Sequence, residues 1–323
     1  MVLNRFPKAR LTEARSRVSD AVHHTPLLRS RTLSQRVGTD VWLKCENLQK
    51  TGAFKVRGAL NRLSTLTDDE RARGVATISA GNHAQAVAWA AAISDTRCVV
   101  VMPEHASPTK VRASEGYGAE VVLHGDAAAA FVRVREISAE QGLTFVHPFD
   151  DEEVVAGHAS CGLEVVEALN DAFDVVVPVG GGGLSSGIAV ALEASGSTAR
   201  IWGVEPAGAN AMHRSFVEGR AVTLPSVDTV ADGLAAPMAG ALNYEILAAR
   251  AEGIAVLDDD TIVDAMTLLL ERTKLLVETS GAAALAAVLA EAIPVDPNRD
   301  IVVVLSGGNA DLAQLGELLR TRD

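Results

Sequence analysis

Four short segments carry residue types at spacings that could do chemistry. In Gly52-Ala53-Phe54-Lys55-Val56-Arg57-Gly58-Ala59, the apolar positions Val56, Ala59, Leu60 and Leu63 recur at helical spacing. That rhythm puts Lys55 in the first turn of a helix. A helix N-terminus favours anions over cations by about 0.3 to 1 kcal/mol, so an ammonium there holds its proton loosely. Once neutral it is a nucleophile for an aldehyde, although a solvated surface lysine is the plainer alternative. In Ser79-Ala80-Gly81-Asn82-His83-Ala84-Gln85, small residues stand where a strand gives way to an alanine-rich helix. Uncovered N–H groups at such a junction suit a carboxylate or phosphate, unless Ser79 or Asn82 is an ordinary N-cap and His83 a satisfied polar residue. Gly180-Gly181-Gly182-Gly183-Leu184 lies at another strand-to-helix junction. Four glycines in a row give up conformational entropy on folding, which argues that their bare backbone cradles something such as a phosphate. Ser306-Gly307-Gly308-Asn309 ends a fourth strand, where Ser306 is either a ligand or a turn residue.

The elements that must position these segments follow from the apolar pattern. Short β-branched runs occur at 41–43, 75–78, 98–102, 120–123, 173–179, 201–204 and 301–305, with alanine-rich helical stretches between them. Continuous rather than alternating apolar character predicts strands covered on both faces, and strands alternating with helices predict a parallel α/β sheet. Ligands of such sheets bind outside the carboxyl ends of the strands, and each of the four segments follows one. The length, 323 residues, suggests two domains. No Pro/Gly/Ser linker separates them, so the crossings are expected near 67–73 and 147–153.

Composition removes several classes of function. With 29 basic and 41 acidic residues the formal charge is 29 − 41 = −12, which repels nucleic acid. Cys45, Cys98 and Cys161 are odd in number and form no C-x-x-C pair, so neither a disulfide framework nor a zinc ribbon is indicated and a reducing cytoplasm is expected. The basic N-terminal stretch lacks the apolar core of a secretory signal. Residues 175–192 are uncharged over about the length of a membrane helix, but Pro178 and five glycines divide them into strand, loop and helix. The glycine loop matches neither a Walker A motif nor a strict G-x-G-x-x-G. A dinucleotide reading keeps some weight, because Glu205, 22 residues after Gly183, stands where a ribose-binding acid could sit.

An amine for an aldehyde, a cradle for its phosphate and a second anion site for a carboxylate together describe pyridoxal phosphate acting on an amino acid. The segment 44–59, the Ser79 to Gln85 loop, the tetraglycine loop, Ser306 to Asn309, Thr25-Pro26-Leu27 and His147-Pro148-Phe149-Asp150 resemble the threonine dehydratase and serine racemase family of fold type II pyridoxal-phosphate enzymes. The resemblance covers nearly the whole chain. It implies two parallel-sheet α/β domains of the tryptophan synthase beta-like kind with the active site between them. Residues 1–69 and 150–323 would form the larger, cofactor-binding domain and 70–149 the smaller, substrate-loop domain.

The same resemblance assigns roles. Lys55 would carry the cofactor covalently and later remove the substrate Cα proton, with Phe54 beside the ring. Asn82 would bond the ring hydroxyl, the amides of Gly180, Gly181, Gly182, Gly183 and Leu184 the phosphate, and Ser306 the pyridine nitrogen. Ser79, Ala80, Gly81, Asn82 and His83 would take the substrate carboxylate, and the cofactor phosphate would supply a proton to the departing hydroxyl. The family's racemases carry serine where this chain has Ala80, and alanine transfers no proton. This and Phe149 imply a dehydratase releasing 2-oxobutyrate from L-threonine or pyruvate from L-serine, with ammonia. A 3-hydroxyaspartate dehydratase or serine racemase is the alternative, and a nicotinamide-dependent enzyme or a non-catalytic binding protein is more distant. Because the chain stops soon after Ser306, no C-terminal regulatory domain is expected. Gly157-His158-Ala159-Ser160 stands where relatives have Gly-Gln-Gly-Thr, and Ala53 and Ala86 where serine and glycine are common. Relatives' divalent-cation positions correspond to Glu205, Ala209 and Ala211, leaving Glu205 a weak candidate and a tight site not expected. The partners implied are a small β-hydroxy amino acid and further copies of the chain, as a homodimer or higher homo-oligomer, with no nucleic acid and no membrane.

Overall fold

The computed structural model describes residues 2–169 and 172–320. Among these, ten strands form two sheets: β1 (Leu27–Arg29), β2 (Val41–Cys45), β3 (Val75–Ile78), β4 (Cys98–Met102), β5 (Glu120–Leu123), β6 (Thr144–Phe145), β7 (Phe173–Pro178), β8 (Arg200–Pro206), β9 (Gly253–Leu257) and β10 (Asp300–Leu305). The larger sheet has the order β1-β2-β10-β7-β8-β9 and the smaller β5-β4-β3-β6. All pairings are parallel except that of β1 with β2. The larger sheet is therefore mixed rather than wholly parallel.

Continuous apolar runs are buried on both sides, as their composition predicts, except in β5, which has no buried residue. In β10, Val302 and Val304 join one core cluster while Ile301, Val303 and Leu305 join another across the sheet. β7 divides in the same way, with Val175 and Val177 against Val176. The smaller sheet buries Val75, Cys98, Val100 and Met102 on one face and Ala76, Val99 and Val101 on the other. β1, β6 and β9 are the strands that apolar continuity does not reveal, being short or, in β9, buried only at Ile254 and Leu257.

The strand order places the chemistry. β2, β10 and β7 are adjacent, so the segments leaving their carboxyl ends, which carry Lys55, Ser306 and the tetraglycine loop, emerge side by side. The fourth segment leaves β3 in the other sheet. Helix Lys55–Ser64 spans the two units. At its start the preceding residues pair with the β10 loop, through Phe54 N–H to the Ser306 carbonyl at 3.1 Å and a bridge between Ala53 and Gly307. Its Val56, Ala59, Leu60 and Leu63 join the core of the smaller sheet.

Behind this helix lies a charge-balanced quartet. Arg57 is fully buried and forks onto Glu46, with Nε 2.7 Å from Oε2 and Nη2 2.8 Å from Oε1. Its Nη1 lies 2.6 Å from Glu164 Oε1, and Lys44 Nζ completes the set by bonding Glu164 and the Thr25 carbonyl. Burial pushes the Glu46 carboxyl up, but the adjacent guanidinium outweighs it and holds the group below its usual range. Two cations facing two carboxylates leave no net charge, and this is what makes so polar a cluster tolerable in the interior. Removing one member strands the others. Arg57→Ala is expected to lose about 3 to 5 kcal/mol of unfolding free energy, whereas Arg97→Ala, at an exposed pair with Glu120, loses under about 1 kcal/mol. Denaturant unfolding of both variants checks this, and equal small losses would show the quartet to be energetically idle.

Candidate active site

Lys55 is the first residue of its helix, following Phe54 at the N-cap. Its Nζ donates to the Pro148 carbonyl at 2.8 Å and lies 5.1 Å from the centre of the Phe54 ring. Burial lowers its pKa to about 8, partly opposed by the Glu278 carboxylate. The loosened proton expected from the sequence is thus present, but water exclusion is the leading cause rather than the helix dipole.

The tetraglycine loop joins β7 to helix Gly183–Ala194, whose N-cap, Gly182, has the left-handed φ of 96° and no side-chain cap. A Cβ on Gly181 would fall 2.3 Å from Phe149 Cγ, so the ring of Phe149 seats against bare backbone. Asn243 Nδ2 ties the loop to that residue, donating to the carbonyls of Gly181 at 2.9 Å and Phe149 at 3.0 Å. The His147-Pro148-Phe149-Asp150 strap therefore touches both Lys55 and the glycine loop. His147 Nδ1 holds the strap's turn by accepting from Asp150 N–H at 2.8 Å, and Asp150 accepts from Leu242 N–H at 3.0 Å, at the start of helix Ala241–Arg250.

The Ser79 to His83 loop leads into helix Asn82–Ile93. The N-cap is Gly81 with no side-chain cap, so neither Ser79 nor Asn82 acts as the ordinary cap weighed above. Ser79 Oγ accepts only from Gly81 N–H, at 3.0 Å, and a Cβ built on Gly81 meets nothing within 4 Å. Asn82 reaches the β10 loop instead, donating to Glu278 Oε1 at 2.7 Å and accepting from Asn309 Nδ2 at 2.8 Å. His83 is buried with Nε2 3.5 Å from the Val146 carbonyl, so its ring belongs to the core beneath the loop. Ala80 contributes backbone and a methyl group. Ser306, 5% exposed, closes β10 and is held by Phe54.

Glu205 does not join this group. It is fully buried, and its two carboxylate oxygens accept from Met212 N–H at 2.8 Å and His213 N–H at 2.7 Å, capping helix Ala211–Glu218. Burial raises its pKa to about 8 while those amides pull it back. Those amides would compete with a ribose or a cation for the same oxygens.

Three contributors went unseen in the sequence. Glu278 lies in the cleft, its pKa raised to about 7 by burial and moderated by Asn82. A lone acid before an alanine-rich helix reads as ordinary helix-start charge, which hides it. The Pro148 carbonyl is backbone and has no side-chain signal. Asn243 lies 60 residues after Gly183 and is linked to the glycine loop only by the fold.

The gathered residues fit pyridoxal phosphate on their own chemistry. An amine of lowered pKa stands at one end, a bare-backbone cradle at an uncapped helix start can take the phosphate, and a second uncapped helix start can take a carboxylate. Residues 18–307 match the family described as pyridoxal-phosphate dependent enzyme. The chain is 44% identical over 311 residues to an L-threonine ammonia-lyase of Geobacter sulfurreducens, covering 95% of this chain and 76% of that protein. It is 41% identical over 310 residues to a catabolic L-threonine dehydratase of Escherichia coli, covering 95% and 94%. Among solved structures, maize serine racemase superposes with a TM-score of 0.92 at 34% identity, covering 98% of this chain and 97% of that one. With the lysine, the glycine cradle and the strand-end serine arranged as described, the chain belongs to the pyridoxal-phosphate dependent enzymes.

Proposed function

We propose that this protein catalyses the deaminating dehydration of a β-hydroxy L-amino acid, converting L-threonine to 2-oxobutyrate and ammonia, L-serine to pyruvate and ammonia, or both. The observation that carries the reading is that the segments with the Lys55 amine, the tetraglycine cradle and Ser306 leave three adjacent strands, with the Ser79 to His83 loop tied beside them through Asn82, Glu278 and Asn309. The names of the threonine ammonia-lyase and dehydratase relatives support it.

When bound, pyridoxal phosphate supplies an aldehyde for the substrate amine and a conjugated ring that spreads the negative charge left at Cα. The protein supplies the rest. The amides of Gly180, Gly181, Gly182, Gly183 and Leu184 hold the phosphate, and Phe54 packs beside the ring. Asn82, at the start of its helix, would bond the ring hydroxyl. The lobe formed by residues 1–69 and 150–323 carries Lys55, Phe54, the glycine cradle and Ser306, while that of 70–149 brings Asn82 and the loop whose Ser79, Ala80, Gly81, Asn82 and His83 backbone takes the substrate carboxylate. Lys55, kept basic enough to accept a proton and dry enough to lose one, removes the Cα proton. Ser306 offers the pyridine nitrogen a neutral hydroxyl. So weak an acid leaves the ring a moderate electron sink, which favours expulsion of the β-hydroxyl over other fates. Racemisation needs a second acid/base on the far side of Cα, and Ala80 has no proton to give. One methyl changes pocket selectivity by only about 1 to 3 kcal/mol, so serine and threonine both remain substrates of this reading. Among the described residues no helix is long and apolar enough to cross a membrane. Three free buried cysteines suit a reducing cytoplasm, and we expect a homodimer or higher homo-oligomer.

Lys55→Ala is expected to lower keto-acid release from threonine at least about a thousandfold and to remove the borohydride-trapped adduct at this position. A wild-type rate in the variant would overturn the assignment. The lowered lysine pKa gives a separate expectation for cofactor-free protein. Only the neutral amine captures the aldehyde, so with a pKa of about 8 the capture rate rises roughly fivefold from pH 7 to pH 8 and levels off above about pH 9. Stopped-flow absorbance checks this. A rate still climbing tenfold per unit beyond pH 9 would mean that the amine is not desolvated.

A further inference from the structure

The reaction assigned above does not use His158, yet its setting is costly. The residue is fully buried in helix Glu152–Ala168, and neither Nδ1 nor Nε2 has a hydrogen-bond partner among the described residues. Burial, with the nearby Lys55 charge, holds its pKa well below the ordinary value, so the ring is neutral and carries one N–H and one lone pair. A buried polar group left unpaired destabilises the fold, whereas an aliphatic side chain of similar size would fill the slot without that cost.

The surroundings are nonetheless shaped for this ring. A Cβ on Gly58 would lie 2.5 Å from His158 Cε1 and 2.7 Å from Nε2, and one on Gly187 would lie 2.7 Å from His158 Cβ. Gly58 stands three residues after Lys55 on the same helix. Gly187 belongs to helix Gly183–Ala194, which begins at the glycine cradle. Both helices omit a side chain where the imidazole enters. What it meets there is Phe54, whose ring centre is 4.8 Å away at an interplanar angle of 64°, an edge-to-face arrangement. The Lys55 ammonium lies 5.1 Å from the centre of that same ring. His158, Phe54 and Lys55 thus form one contact chain from the helix-packing layer to the reactive amine.

We propose that His158 is a positioning residue: its imidazole, locked between Gly58 and Gly187, sets the tilt of the Phe54 ring and through it the cofactor ring and the Lys55 amine. The proposal rests on the function assigned above to Phe54 and Lys55. It also accounts for an unpaired imidazole being kept, because an aliphatic chain cannot offer the polar edge that orients an aromatic face.

The test compares His158→Leu with wild type by three readouts. Thermal unfolding of the cofactor-free protein is expected to be unchanged or shifted upward, since the unpaired group is gone. The visible circular dichroism of the bound cofactor, which reports ring orientation, is expected to fall by about half or more, and kcat by about tenfold or more with KM within about twofold. A merely structural role would alter stability alone. A leucine variant with normal dichroism and kcat therefore overturns the proposal. If that variant does not fold, His158→Gln, which keeps a planar N–H donor, and His158→Met, which lacks one, carry the comparison: dichroism and kcat retained in both overturn the proposal, and their loss in the methionine variant supports it. A wild-type protein without a Lys55-bound chromophore overturns the underlying function instead, and the proposal with it.

Discussion

An amine that must act as a nucleophile near neutral pH has to be kept from water without being given a carboxylate strong enough to fix its proton. The arrangement at Lys55 meets that constraint. Its one hydrogen-bond partner among the described residues is a neutral carbonyl, that of Pro148, and the acid that acts on it, Glu278, is itself driven toward neutrality by burial and spends an oxygen on Asn82. Desolvation therefore wins over attraction, and the lysine ends at about 8. Much of the surrounding architecture serves that balance. The strap that offers the carbonyl is pinned by His147, Asp150 and Asn243, and its Phe149 seats against the glycine loop, so the group holding the amine and the loop proposed to hold the phosphate are positioned by the same four residues.

The charges kept away from the amine matter as much as those near it. Arg57 lies two residues after Lys55, and an unneutralised guanidinium there would add to the pressure on the lysine's proton. It is bound instead by Glu46 and Glu164, with Lys44 completing a quartet of zero net charge on the far side of the helix. Such a cluster does little for stability compared with apolar packing of the same volume, but it can specify one arrangement of the elements that meet there. Here these are β2, the lysine helix and helix Glu152–Ala168, which is also the helix that presents His158.

Much of this was legible in the sequence, and for physical reasons. Strands β3 and β4 have the bounds their apolar runs predict, because a strand buried on both faces must be apolar throughout, and β5 has its expected bounds although it is only partly covered. The four chemistry-bearing segments were readable since each breaks a rule of ordinary helix or strand composition just past a strand. What stayed hidden depends on partners distant in the chain. β1 is three residues at an edge, paired antiparallel and half exposed, and β6 is two residues long, too short for any periodicity. Glu205 has a spacing from the glycines that suits a ribose contact, while its partners in the fold are two amides whose position the sequence does not reveal.

The adjacency of β2, β10 and β7 determines how one end of the cleft is assembled. In a parallel sheet, neighbouring strand ends are spaced by the backbone ladder, so the relative placement of Lys55, Ser306 and the glycine loop is set by hydrogen-bond register rather than by side chains. The Ser79 to His83 loop has no such guarantee, because it leaves β3 in the other sheet. It is brought into place by Asn82 meeting Glu278 and Asn309, and by the Lys110–Asp232 pair at 2.7 Å. Those links are few, polar and partly exposed, and each contributes far less than the apolar cores on either side. The Ser79 to His83 loop is thus joined to the larger sheet's loops by polar links, whereas the lysine helix is joined to the smaller sheet by apolar packing.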